Sequence, residues 1–260
     1  MRILLTSIFI FIVFASIAQM ADTIYNVTDS SFTGLVNNTY QGGGNYLGYL
    51  KNGKKDSLGT MQFSDGSVYK GAWKDNKQHG FGVITLTNGE RYEGEFENGT
   101  IAGSGIYFFT NGEKYIGNFV NAAMNGKGTY FFENGDKYEG QYKSNRRHGQ
   151  GTYFYADNRV YTGSFLFDKK HGKGQMVFPD GSKYIGQFAN NMRTGFGVVY
   201  YSSGDRFEGY FGSNKMNGKG TYFFKDGRKL VATWKDDLQQ GSGDLYDLKG
   251  NKATYNPITK

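Results

Sequence analysis

The 260-residue chain has no cysteine and only three histidines. Without cysteine no disulfide can form, and no lipid-modified cysteine can follow a cleaved leader. Any membrane attachment must then be non-covalent or made through a partner. No Gly-x-Ser-x-Gly elbow, no Gly-rich loop ending in Lys-Ser/Thr and no His-Glu-x-x-His occurs. His79, His148 and His171 all fall on one position of a recurring pattern and read as copies of a single loop position. The nearest two lie one hairpin apart, roughly 10 Å by strand spacing, which is too far for a shared zinc held about 2 Å from each nitrogen. Asp65, Asp157, Asp180 and Asp226 likewise share a turn position, where a side-chain acceptor helps to close the turn. The reading is of a protein that is not an enzyme, with no catalytic residues, no metal and no cofactor.

What the sequence does contain is a strict period. Nine copies of a 23-residue pattern run over residues 46–252 without insertion or deletion. First positions are Tyr46, Tyr69, Tyr92, Tyr115, Tyr138, Tyr161, Tyr184, Phe207 and Leu230; third positions are glycine except for Ala232. Fifth positions are aromatic apart from Leu50, and a Gly-x-Gly pair closes the middle of every copy but the first, where Ser57 precedes Gly59. Positions 1, 3 and 5 share one face of a strand, because side chains alternate with a period of two. The run after Gly-x-Gly, as in Gly149-Gln150-Gly151-Thr152-Tyr153-Phe154-Tyr155, reads as a second strand rich in aromatics. Between them lies a polar loop such as Lys74-Asp75-Asn76-Lys77-Gln78-His79. The Asn/Asp-Gly near the end of most copies marks a hairpin turn in which both residues take positive φ. Glycines at positions 3, 12 and 14 are costly in a strand, so they imply either close approach of an aromatic ring or a bend. Each copy is thus about one hairpin, too small to stand alone, and stacking on its neighbours must stabilise it.

The pattern Tyr-x-Gly-x-Phe/Trp, then Gly-x-Gly-x-Tyr-x-Phe, then Asn/Asp-Gly at this period resembles the MORN (membrane occupation and recognition nexus) repeat family. The resemblance implies an all-β fold, an elongated single-layer antiparallel sheet of stacked β-hairpin repeats. It also implies a scaffold that binds protein partners, self-associates or sits near membranes. Only residues 253–260 follow the last copy, which leaves no room there for the kinase or methyltransferase domains found in some members. Leu230, Ala232 and Asp247 depart from the pattern in the last copy, as Ser57 does in the first, and read as caps.

Met1-Arg2 precedes an apolar run over 3–14 and then Ala15-Ser16-Ile17-Ala18, the order of a signal peptide cleaved after residue 18. The expected location is exported: periplasmic, secreted or in the lumen of a secretory pathway, according to the host. Residues 19–45 read as a polar leader or linker that can add an edge strand to the first copy. Asn26-Val27-Thr28, Asn37-Asn38-Thr39 and Asn98-Gly99-Thr100 are glycosylation acceptors if that host is eukaryotic. The formal charge is +7, falling to +6 with the loss of Arg2, and it is dispersed among Lys/Arg and Glu. An exported chain with dispersed charge is a poor nucleic-acid binder.

One stripe carries the functional reading. Position 17 holds Phe108, Phe131, Phe154, Val177, Tyr200, Phe223 and Tyr246, and it must project opposite to positions 16 and 18. In a single layer one aromatic stripe is buried by twist and neighbour packing. The other is either an exposed ladder of partner-binding residues or is covered by long Lys and Glu stems. The candidate contact surface is Phe108, Phe131, Phe154, Tyr200, Phe223 and Tyr246, for a protein partner or a second copy of the chain. The alternative is weak attraction to anionic phospholipid or polyanionic glycan.

Overall fold

The computed structural model describes residues 26–256, so the signal peptide read at 1–18 lies outside the described residues. The chain divides into two units, 1–133 and 134–260. The first holds β1 (Gly34–Thr39), β2 (Gly44–Lys51), β3 (Lys54–Phe63), β4 (Val68–Lys74), β5 (Lys77–Thr85), β6 (Arg91–Glu97), β7 (Thr100–Phe108), β8 (Lys114–Val120) and β9 (Ala123–Phe131). The second begins with β10 (Lys137–Lys143), β11 (Arg146–Phe154), β12 (Val160–Leu166), β13 (Lys169–Val177), β14 (Lys183–Ala189) and β15 (Met192–Tyr200). It continues with β16 (Arg206–Gly212), β17 (Lys215–Phe223), β18 (Lys229–Lys235), β19 (Leu238–Tyr246) and β20 (Lys252–Tyr255). Within each unit every strand pairs antiparallel with its neighbours in sequence. No helix occurs among the described residues. β1 lies inside the segment read as a linker and pairs with β2, and β20 continues the pairing beyond the last copy.

The two glycines of Gly-x-Gly do different work. The second, with the glycine of position 3, forms a facing pair such as Gly117 and Gly128. The Tyr115 ring folds over that pair, and an added Cβ on Gly117 would lie 2.6 Å from the Gly128 Cα. The tyrosine hydroxyl then donates to the backbone carbonyl three residues on, as from Tyr69 to Ala72 at 2.8 Å and from Tyr161 to Ser164 at 2.9 Å. The first glycine occupies a β-bulge, where the register jumps between positions 3 and 5, and it takes positive φ, as at Gly149 (φ 67). In the first copy Ser57 adopts the same conformation at φ 58.

These tyrosines build the core. Tyr46, Tyr69, Tyr92, Tyr115, Tyr138, Tyr161, Tyr184 and Phe207 are fully buried. Within each unit, fifth-position rings such as Phe96 and Phe188 pack edge-on between the first-position rings of their own copy and the one before, a favourable aromatic geometry. Phe96 lies 5.0 Å from Tyr69 and 5.3 Å from Tyr92, and Phe188 lies 5.0 Å from Tyr161 and 5.2 Å from Tyr184. In the last copy the departures from pattern compensate one another. Leu230 replaces the ring, which makes room for the Ala232 methyl above Gly243, and both side chains are buried.

The turns differ from the sequence expectation in two ways. The Asn-Gly segment is a three-residue connection in which only glycine takes positive φ, Gly89 at φ 90 but not Asn88, with Gly89 N–H donating to the Leu86 carbonyl. This is a type I turn closed by a left-handed residue. The two-residue turns with positive φ at both positions lie instead where a longer polar loop was expected, at Asp75-Asn76, Asn190-Asn191 and Ser213-Asn214. The second strand therefore starts three residues before Gly-x-Gly, and His79, His148 and His171 are strand residues of β5, β11 and β13 rather than loop residues. Each of these turns also leans on the preceding hairpin. The Asn191 N–H donates to the Lys170 carbonyl and its side-chain oxygen accepts the Lys170 N–H at 2.8 Å.

Candidate interaction surfaces

The register places the six candidate aromatics on the face opposite the buried tyrosines, because Phe108 pairs with Arg91 and Lys114 while Tyr107 pairs with Tyr92 and Tyr115. In the first unit this outer row contains Phe108 and Phe131; in the second it contains Phe154, Tyr200, Phe223 and Tyr246. Each ring carries a cation: Arg91 over Phe108 at 5.5 Å, Lys114 over Phe131 at 4.8 Å and Lys137 over Phe154 at 4.3 Å. Lys183 lies over Tyr200 at 4.7 Å, Arg206 over Phe223 at 4.3 Å and Lys229 over Tyr246 at 5.0 Å. Several of these cations also hold a glutamate two residues on, in the pairs Arg91–Glu93, Lys137–Glu139 and Arg206–Glu208. Phe131 and Tyr200 are each 36% exposed, whereas Phe108, Phe154, Phe223 and Tyr246 are half-buried beneath their cations. The outer row is thus aromatic with long basic stems lying across it, three of them paired with glutamate, while Lys114, Lys183 and Lys229 have Ile116, Ile185 and Val231 at that position.

The core face carries a second, half-buried row made by positions 16 and 18. Ring centroids are 4.7 Å apart for Tyr107–Phe109 and 4.6 Å for Tyr130–Phe132 in the first unit, and 4.5 Å for Tyr153–Tyr155 and 5.0 Å for Tyr222–Phe224 in the second. Its hydroxyls donate to carboxylates: Tyr107 to Glu90, Tyr130 to Glu113 at 2.6 Å and Tyr153 to Asp136 at 2.6 Å. Burial, with the Glu90 hydrogen bond and charge, pushes the Tyr107 hydroxyl up to about 12. Burial opposes ionisation of Asp136, but the Tyr153 hydroxyl and the Ala156 amide hold its carboxyl below the usual range.

Position 10, missed in the sequence because positions 6–11 read as loop, also points to this face. It holds Lys55 in the first unit and Arg147, Lys170 and Arg193 in the second. The Lys55 ammonium lies 4.8, 5.4 and 5.2 Å from the rings of Tyr40, Tyr46 and Trp73, and Lys170 meets the equivalent rings of Tyr155, Tyr161 and Phe188. The clue available beforehand was recurrence of Lys or Arg at one register position.

Among the described residues no group of three or more His, Cys, Asp or Glu is arranged to hold a metal ion.

Tyrosine over paired glycines, repeated hairpins and a 23-residue register define a β-hairpin repeat protein. The MORN repeat family model matches eight consecutive segments over residues 46–227, and the chain belongs to that family. The ninth copy lies beyond the match, yet β18 and β19 continue the same hairpin. No curated protein sequence matches the chain. Among solved structures, the chain is similar to the SAS-4 (dCPAP) TCP domain of Drosophila melanogaster bound to a proline-rich motif of Ana2. That match has 20% identity, covers 60% of this chain and 85% of the other, and has a TM-score of 0.39. It is also similar to the TCP10 domain of Danio rerio CPAP in complex with a STIL peptide, at 12% identity, 86% and 100% coverage and a TM-score of 0.40. The E1021V mutant of that domain gives 14% identity, 85% and 99% coverage and a TM-score of 0.42.

Proposed function

We propose that this chain is an exported, non-enzymatic interaction module that docks a protein partner on the outer aromatic row. The observation that carries the reading is the row of exposed and half-buried rings at one register position, Phe154, Tyr200, Phe223 and Tyr246 in the second unit and Phe108 and Phe131 in the first. Desolvated aromatic anchors carry a disproportionate share of binding energy. Three of the six cations above them are answered by glutamates, in Arg91–Glu93, Lys137–Glu139 and Arg206–Glu208, which lowers the positive charge open to an anionic membrane or glycan and favours a protein surface. Export rests on the order of charge, apolar run and small residues over 1–18.

The test is capture of partners from the source's own envelope or secretory fraction by the mature chain and by a Tyr200→Ser/Phe223→Ser variant. Binding that withstands salt and is lost in the variant, with an unchanged unfolding midpoint, supports the proposal. Binding that ignores the variant and fades as the Debye length falls from about 10 Å at 0.1 M salt to 3 Å at 1 M overturns it in favour of charge-driven lipid or glycan contact. Self-association lost in the same variant would make the partner a second copy. N-terminal sequencing of exported material that retains Arg2 would overturn the cleavage.

A further inference from the structure

The core face of the second unit holds two cations that no carboxylate answers. Lys170 stands on β13 and Arg193 on β15, with β14 between them. The Lys170 ammonium lies 5.6 Å from the Tyr161 ring and 5.9 Å from Phe188, and the Arg193 guanidinium lies 5.4 Å from Tyr184 and 5.3 Å from Phe211, so the two charges take the same place in successive copies. The Lys170 ammonium donates to the Tyr155 hydroxyl at 3.1 Å, and the Arg193 guanidinium donates to the Asn214 carbonyl. Among the described residues neither has a carboxylate within ion-pair distance, while nearby Asp168 and Asp157 are taken by Arg147 and Arg159. Burial, then the positive charges of Arg159 and Arg147, hold the Lys170 ammonium below its ordinary range. An anion seated here would therefore relieve repulsion as well as form new contacts. The adjacent pair is particular to this unit: in the first the same register position holds a single cation, Lys55, followed by Gln78, Ile101 and Met124, and in the second Met216 follows Arg193.

Spacing and shape select the anion. Two strand separations put successive position-10 side chains about 9.6 Å apart along the sheet. A polyproline II segment advances about 9.3 Å in three residues and presents every third side chain on one side. Half-buried rings border the cations, Tyr155 beside Lys170 and Tyr201 near Arg193, and aromatic-lined surfaces take up polyproline II backbones. We infer that the core face around Lys170 and Arg193 binds an extended, proline-rich protein segment carrying an acidic side chain at every third residue. This surface is separate from the outer row and stands or falls independently of it.

The probe is a fluorescent peptide of Glu-Pro-Pro triplets, with Gln-Pro-Pro triplets and Glu-Pro pairs as controls, titrated against the full chain. Lys170→Met/Arg193→Met installs the residue that Met124 and Met216 already place at this register position, so the fold should be retained, as checked by the unfolding midpoint. Tight binding of Glu-Pro-Pro alone, weakened at least about tenfold by the double change (about 1.4 kcal/mol) and retained by Lys170→Arg, supports the inference. Equal binding of the Gln peptide, of the Glu-Pro peptide, or by the double variant overturns it. So would loss of the peptide in Tyr200→Ser/Phe223→Ser, which would move the site to the outer row. Co-sedimentation with phosphatidylserine vesicles that depends on Lys170 and Arg193, in the absence of peptide binding, would overturn it in favour of a lipid surface.

Discussion

Gly117 and Gly128 face each other across β8 and β9 so closely that a methyl on the first would lie 2.6 Å from the Cα of the second, beneath the Tyr115 ring. Neither backbone nor ring can yield without opening the core. Gly117→Ala is expected to cost about 3 kcal/mol or more, the scale of a core disruption. Gly112 has open space around its Cβ position and only its φ of 85 to protect, so Gly112→Ala should cost about 1–2 kcal/mol of left-handed strain. Urea titrations of the two variants check the order.

Phe119 is buried against Tyr92 and Tyr115 at 5.1 Å from each. Its replacement by Ala should cost about 3–5 kcal/mol. A loop histidine would be nearly neutral, but His148 is a half-buried residue of β11 with its ring 5.0 Å from Phe167. His148→Ala should therefore cost about 1 kcal/mol, a smaller but measurable shift in the same titration.

Several residues other than glycine, asparagine and aspartate sit in left-handed backbone, among them Ser57, Ala122 and Phe167. Ser57 has φ 58 where other copies carry glycine, and Phe167 has φ 45 where other copies carry Asn, Asp or Ser. Relief of strain worth about 1–2 kcal/mol per residue, offset by the greater freedom of glycine when unfolded, predicts that Ser57→Gly stabilises by about 0.5 kcal/mol. Phe167→Asn should gain about 1 kcal/mol, since asparagine tolerates this conformation. A lower unfolding midpoint in either variant would contradict the strain account.

The buried tyrosines make the fold sensitive to alkali. Burial pushes the hydroxyls of Tyr115, Tyr138 and Tyr184 up to about 12 from 10.0, and it raises those of Tyr46, Tyr69, Tyr92 and Tyr161 as well. A raised folded pKa gives stability that is complete below the unfolded value and lost as pH climbs through the folded one. Each such tyrosine should remove about 1.4 kcal/mol per pH unit in that window. Stability is expected to be steady near neutrality and to collapse above pH 10, with tyrosinate absorbance appearing in step with loss of structure. Gradual tyrosine ionisation in a folded chain would refute it.

Most of the architecture was legible because the physics repeats. Period-two alternation assigned the buried face from Tyr46 to Leu230, and the glycine rows announced the close ring contact that the structure contains. The turn types were harder to read, because Asn-Gly serves both a two-residue turn and a type I turn closed by glycine, and only backbone geometry separates them. That misreading displaced the start of the second strand and hid Lys55, Arg147, Lys170 and Arg193 in an apparent loop. The double departure of Leu230 and Ala232, read as a cap, is an exchange of a ring for a methyl in the same space. The cationic lids over Phe108 and Phe154 could be foreseen only as one of two alternatives, since strand alternation fixes a face but not the reach of a long side chain.

The turn contacts also give the sheet a direction. Asn191 and Asn214 each bond back to the strand of the preceding copy, Lys170 and Arg193 respectively, so the seat for a hairpin is built by the one before it. A nascent chain emerging N-terminus first lays each of these hairpins on a surface that is already complete. Truncation is correspondingly lopsided: trimming copies from the C-terminal end leaves the remaining seats intact, whereas trimming from the front removes the seat of the first hairpin that is kept.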